Sequence, residues 1–178
     1  MNLKRIISRT LFHLQKKIIK FVSYFNHRLY MKFYLKILKK QGMKITGVPR
    51  YIGYNSKFDD INLISLGDRV VISDECHFLT HDYSITTALI AIDQAPEKDI
   101  ALVRGIEIGN NVFIGKKTIV MPNTSVGNDV IVGAGTVLRG RIPNGSIVIG
   151  NPSEVIGSIY DQAEKWSKYL KSDLIRKD

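Results

Sequence analysis

Four histidines and one cysteine are the side chains of this sequence best suited to proton transfer, metal binding or nucleophilic work. Histidine titrates closest to neutral pH, so one well-placed imidazole can take the proton of a weakly acidic hydroxyl as it reacts. His81 stands out by its surroundings, Leu79-Thr80-His81-Asp82-Tyr83-Ser84, where an otherwise periodic sequence breaks off. Asp82 is a candidate to orient the ring, although adjacent side chains on an extended chain point apart. His77 directly precedes the apolar Phe78 and so points outward, as a candidate for the acceptor site. His13 and His27 belong to a separate basic segment. Cys76 falls at a small interior position and reads as an inert core thiol. A single cysteine excludes an intramolecular disulfide and a Cys-rich zinc cluster.

The elements that must position His81 repeat every six residues. Ile108, Ile114, Val120, Val126, Val132 and Leu138 are equivalent, and glycine follows at Gly109, Gly115, Gly127 and Gly133. Four residues after each aliphatic come Val112, Thr118, Thr124, Val130, Thr136 and Ile142, mostly β-branched. A period of six fits neither an α-helix nor a helical repeat. It suits a coil of short strands that turns a corner every six residues, aliphatics inside and glycine easing each corner. Three sides make one turn, which stacks Ile108 on Val126, Ile114 on Val132 and Val120 on Leu138, each rung burying its face on the next. The phase recurs upstream at Leu66, Ile72 and Phe78, and less regularly at Ile52, Phe58 and Ile64, with a two-residue slip before Leu66. Between the two blocks, residues 82–105 break the period and must loop outward, as functional loops do.

Residues 51–159 resemble the hexapeptide-repeat acyltransferases. The likeness rests on the unbroken repeat from Ile106-Glu107-Ile108-Gly109 to Leu138, on the segment around His81, and on the closing run from Ile142-Pro143-Asn144-Gly145-Ser146 through Gly150-Asn151-Pro152-Ser153. It implies a mainly β fold, a left-handed parallel β-helix of three to four coils over residues 45–157, with an extended loop after the catalytic His. Residues 1–44 then form an N-terminal helical arm and 158–178 a short C-terminal helix that packs over the last rung. Within the family the sequence is most similar to sugar O-acetyltransferases that modify capsular polysaccharide, lipopolysaccharide and Nod-factor-type glycans. That likeness implies a homotrimer with acetyl-CoA between adjacent β-helices and direct transfer to a sugar hydroxyl. His81 matches the catalytic base; Asp82, Tyr83 and His77 are acceptor-side candidates. Gly115, Lys116, Gly133, Ala134, Arg139, Arg141, Asn151 and Pro152 match the cofactor-binding positions. Relatives often carry Arg or Lys shortly after that proline, where this sequence has Glu154 and Gly157, so the phosphate contacts depart from the pattern.

Other readings compete. The carbonic-anhydrase branch of the same solenoid needs three histidines for zinc, and only His77 and His81 lie in the coil region, so no metal is expected. An amino-sugar or amino-acid acceptor would use the same fold, because loops choose the acceptor. A non-catalytic β-helix scaffold is the third.

Composition separates the chain into two parts. Its 178 residues carry a formal charge of +10. Residues 1–44 hold twelve Lys and Arg and no Asp or Glu, which leaves the rest slightly acidic. Within the arm, Leu3, Ile7, Leu11, Leu14, Ile18, Phe21, Val22, Phe25 and Leu29 recur at helical steps, with Arg5, Arg9, Lys16 and Lys20 opposite. Charges interrupt every stretch long enough to span a bilayer, and they recur where a signal peptide would be apolar. The arm therefore reads either as an in-plane membrane helix or as an amphipathic helix packed on protein. No nucleic-acid motif accompanies the charge. The expected location is cytoplasmic, with peripheral contact at the inner face of the membrane.

Overall fold

The structure, a computed structural model, describes residues 14–176. The arm's first residues, including Leu3, Arg5, Ile7, Arg9, Leu11 and His13, lie outside the described residues. Helix α1 is described through residues 14–23, followed by α2, His27–Lys40. From there the chain winds into a parallel β-helix with three faces. Face one stacks β1 (Lys44–Ile45), β4 (Ile64–Leu66), β9 (Ile106–Ile108), β12 (Ser125–Val126) and β15 (Arg141–Ile142). Face two stacks β2 (Tyr51–Ile52), β5 (Val71–Ile72), β10 (Val112–Ile114), β13 (Val130–Val132) and β16 (Ser146–Ile149). Face three stacks β3 (Lys57–Phe58), β6 (His77–Phe78), β11 (Ile119–Val120) and β14 (Val137–Leu138). The period-breaking segment leaves the solenoid as a hairpin of β7 (His81–Asp82) and β8 (Leu102–Val103), with α3 (Ser84–Ile90) between them.

The sixfold period lays down the core. Val126 pairs with Ile108, Val132 with Ile114 and Leu138 with Val120, and these side chains are buried. Thr118, Thr124 and Thr136 are buried too, each hydroxyl donating to the carbonyl three residues back (Gly115, Met121 and Gly133, at 2.8, 2.6 and 2.8 Å). A polar side chain can sit inside a corner only with such a partner. Ile142 departs from its expected place: it stacks on Val126 as an interior residue of face one. The corner after Leu138 is two residues shorter than the regular six, so the phase advances there.

Glycine acts at the corners differently from the expectation of backbone freedom. None of Gly109, Gly115, Gly127 and Gly133 has positive φ; at the corners that conformation falls to residues such as Asn111 (53°), Lys117 (62°), Asn123 (63°) and Asp129 (56°). The glycines after the aliphatics are instead where the next coil comes closest. A Cβ on Gly127 would stand 2.3 Å from Asn144 Oδ1 and 2.8 Å from Asn144 N. That closeness serves a ladder of corner amides. Asp68, Asn110, Asn128 and Asn144 each accept, through Oδ1, the N–H of the preceding coil's corner at 2.7–2.8 Å.

The solenoid's two ends are closed by different means. At the first coil, Tyr30, Met31, Tyr34 and Leu38 of α2 are buried with Ile19 of α1, and the Tyr30 hydroxyl donates to the Ile52 carbonyl. At the other end the exposed edge of β16 is taken by the antiparallel strand β17, Glu154–Ser158. The helix that follows, α4 (Ile159–Ser167), leaves Trp166 largely exposed, as is Leu170 beyond its end. The edge is thus covered by a strand, which satisfies its backbone hydrogen bonds, and not by the C-terminal helix as expected.

Two outcomes follow. Gly127→Ala should cost about 1–3 kcal/mol by overpacking, whereas Gly157→Ala, with nothing within 4 Å of its Cβ, should leave the melting temperature near wild type. Equal melting temperatures would refute the close-approach argument. The second concerns alkali. Burial raises the phenols of Tyr30 and Tyr34, and burial with Asp74 beside it pushes Tyr51 up to about 12. Unfolded tyrosine ionises near about pH 10. The unfolded chain therefore loses these protons first, and stability falls progressively above that pH. Absorbance titration of the eight tyrosines should show a subset ionising only as helical ellipticity is lost. A single step near pH 10 with ellipticity intact would contradict this burial.

Candidate active site

His81 sits where the chain leaves face three, held by the β7–β8 hairpin, with the Thr80 carbonyl accepting from Arg104 N at 2.8 Å. Its ring is about one-third exposed, and Nδ1 lies 3.3 Å from Asp60 Oδ2. Asp59 bridges two imidazoles: Oδ2 is 3.8 Å from His81 Nδ1 and Oδ1 is 3.4 Å from His77 Nε2. Thr80, fully buried, fastens the carboxylate. Its hydroxyl donates to Asp60 Oδ2 at 2.9 Å and accepts from Asp60 N at 3.0 Å. Tyr83 meets the His81 ring edge-on, centroids 5.6 Å apart.

This arrangement has chemical content. A carboxylate at Nδ1 draws the imidazole proton to that nitrogen and leaves Nε2 as a lone-pair acceptor. The ring is then orientated and ready to accept a proton at Nε2. Among the described residues, no group of three or more His, Cys, Asp or Glu side chains is placed to hold a metal ion.

Asp59 and Asp60 were not among the residues singled out from sequence. Their signal was the two-residue slip before Leu66. The extra residues form a 3-10 turn, Ile61–Leu63, which lengthens the corner after Phe58. One coil of chain separates Asp60 from Thr80 and His81, so stacking brings them together.

Asp82, proposed to orient His81, has another partner. Its Oδ1 accepts from Ser84 N at 2.9 Å, and the hydrogen bonds from Ser84 hold its carboxyl below the usual carboxylate range. It lines a shallow pocket with Arg104, Arg139, Pro122 and Gly140, further along the same edge of the solenoid. The remaining expected residues divide between places. Gly115 and Lys116 stack under Gly133 and Ala134 at the corner between faces two and three, where Gly135 N donates to the Lys116 carbonyl. Asn151 and Pro152 follow β16 at that corner, next to Gly150, whose carbonyl accepts from Val137 N. Arg141 is exposed on face one. Lys116 and Lys117 both approach Glu75, at 3.9 and 3.6 Å. Cys76 is buried, its thiol pushed up to about 11 by desolvation, in keeping with an inert core residue.

The glycine-rich corner and His81 thus occupy opposite edges of face three. The width of one face, about 15 Å at the rise of an extended chain, separates them within a single chain.

Comparison with known proteins agrees with this architecture. Residues 105–140 match the model of the bacterial transferase hexapeptide repeat (six repeats). Protein CapG of Staphylococcus aureus is 37% identical over 139 residues, covering 72% of this chain and 78% of that protein. A hexapeptide-repeat acetyltransferase of Vibrio cholerae, solved with acetyl coenzyme A, superposes with a TM-score of 0.64 at 16% identity, covering 89% of this chain and 90% of that one. A maltose O-acetyltransferase of Clostridium difficile gives a TM-score of 0.55 at 21% identity, covering 83% and 88%. At those identities the two structures share the fold. With the repeat, the coil and the CapG relationship in agreement, the chain belongs to the hexapeptide-repeat acyltransferase family.

Proposed function

We propose that this protein is an O-acetyltransferase that moves acetyl from acetyl-CoA to a hydroxyl of a sugar in a cell-envelope glycan. The observation that carries the reading is the pairing of His81 Nδ1 with the Asp60 carboxylate, which leaves Nε2 to act as general base. Nε2 takes the hydroxyl proton as the sugar oxygen attacks the thioester carbonyl. The tetrahedral oxyanion collapses, the carbon–sulfur bond breaks, and the imidazolium returns its proton to the departing thiolate. No covalent enzyme intermediate is needed. Acetyl-CoA is a substrate here, and the solved acetyltransferases that share the fold, one of them with acetyl-CoA bound, support that donor.

His77, Asp82 and Tyr83 lie around His81 on the acceptor side of this scheme. Gly115, Lys116, Gly133 and Ala134, with Asn151 and Pro152 beyond them, form the pantetheine side. Arg139 and Arg141 offer cations to the CoA phosphates. Because base and glycine corner lie on opposite edges of face three, one copy's His81 meets a neighbour's corner, and a homotrimer supplies three such clefts. No helix among the described residues is long and apolar enough to cross a membrane; the reaction is assigned to the cytoplasmic side, where acetyl-CoA is made.

Turnover is measured as CoA thiol release across nucleotide sugars, oligosaccharides and glycolipids. With an accepted sugar, His81→Ala should lower kcat by about 10²–10⁴-fold and Asp60→Asn by about tenfold or more, with melting temperatures little changed. Wild-type turnover in His81→Ala would end the base assignment. The shared site has its own test. His81→Ala and Ala134→Trp should each be inactive alone, and co-expressed they should recover part of the activity, since mixed trimers pair an intact base with an intact corner. No recovery in verified mixed trimers would place both halves of the site in one chain.

A further inference from the structure

Helix α1 turns its charged side, and not its apolar stripe, toward the β-helix. Two of the cations opposite the stripe, Lys16 and Lys20, reach toward the β-helix. Lys16 Nζ donates to the Ser56 carbonyl at 2.9 Å, and Lys20 Nζ lies 5.3 Å over the Tyr54 ring. The apolar stripe faces out instead. Leu14, Ile18, Phe21 and Phe25 are 56%, 60%, 66% and 75% exposed, and Phe33 of α2 is about half exposed near them in sequence. The inward side of both helices is already occupied, since Ile19, Tyr30, Met31, Tyr34 and Leu38 are buried on the first coil.

We infer that this outer face of α1 and α2 is a membrane-docking surface that lies in the plane of an anionic lipid layer. Four features select that occupant. The stripe is made of Phe, Ile and Leu, side chains that insert below headgroups. Exposed Lys17, Arg28, Lys32, Lys36, Lys39 and Lys40 accompany it, and no acidic residue lies in residues 1–44. Anionic headgroups complement every one of those charges, each cation near such a surface strengthening binding about fivefold. A second copy would set this arm against an equally basic arm or against a body of only slight negative charge. No helix among the described residues is long and apolar enough to cross a bilayer, and a one-sided apolar stripe suits a helix lying along it. Lys16, drawn inward and lowered to about 8 by burial, with Lys57 adding to the effect, anchors α1 to the coil while its other side stays available.

This surface does not depend on the acetyl-transfer reading, and the experiment keeps the two apart. The full chain is floated with vesicles of phosphatidylcholine alone, or with phosphatidylglycerol as one part in three. Wild type should float with the anionic vesicles and stay behind with the neutral ones, and high salt should weaken the association. Phe21→Glu/Phe25→Glu should keep its melting temperature and its turnover of a soluble acceptor while losing at least about tenfold in vesicle affinity. Lys32→Glu/Lys36→Glu should lose binding to anionic vesicles alike. Unchanged flotation of the phenylalanine variant would overturn the proposal, as would a wild type that ignores anionic vesicles. A variant that falls from oligomer to monomer without lipid would overturn it too, by making this face a subunit contact.

Discussion

Everything in this molecule depends on coils stacking in register at the spacing of hydrogen-bonded strands. In a β-helix each coil is the next one's packing partner, so the closest corner approach sets what every corner can hold. The glycines after the aliphatics and the amide ladder of Asp68, Asn110, Asn128 and Asn144 meet that limit together. A side chain on the glycine would hold the coils apart, and the ladder bonds would lengthen with every face. The threonines answer the same constraint from inside, by giving a buried hydroxyl a carbonyl within its own corner.

Such a constraint makes departures from it informative. From Ile52 onward, six residues separate successive interior positions at the corners between faces one and two and between faces two and three. The corner between faces three and one varies. It is lengthened by the 3-10 turn at Ile61–Leu63, opened by residues 79–105, regular after Val120, and shortened after Leu138. Asp59, Asp60, His81, Asp82, Arg104 and Arg139 all lie along this one edge. The regular corners keep the coils in register. The irregular edge is free to carry chemistry because the hairpin and turn there satisfy their own hydrogen bonds.

That division also explains what could be read before any coordinates. The stacking partners Ile108–Val126, Ile114–Val132 and Val120–Leu138 were legible because a strict period fixes which residues meet. The place of His81, at the end of the regular coils, was legible because the period stops there. Asp60 was not, since its contact with His81 crosses one coil plus a slip, and only the stacked geometry turns that separation into 3.3 Å. Ile142 was misplaced for the same reason in reverse: a shortened corner advances the phase, and counting by six carries on past it. Asp82, next to His81 in sequence, does not pair with it: at the start of α3 its carboxylate accepts from the Ser84 N–H.

The arm shows the limit of amphipathic patterning in another way. A helical wheel separates apolar from charged faces, but it does not say which face a neighbour takes. Here the first coil ends in tyrosines and open carbonyls, with Tyr51, Tyr54 and the Ser56 carbonyl within reach of α1 and α2. A lysine lays its methylene stem on such a surface and ends in a carbonyl or over a ring, so Lys16 and Lys20 are drawn inward. Once they turn in, helix geometry swings Leu14, Ile18 and Phe21 out, because residues at those steps share the opposite side. The inward lysines and the exposed apolar stripe are therefore two results of one packing choice at the end of the solenoid. That end is also where the edge carrying His81 begins, since Asp59 and Asp60 lie at the first coil and His77 and His81 at the second, within about 10 Å of the helical cap at the spacing of stacked strands.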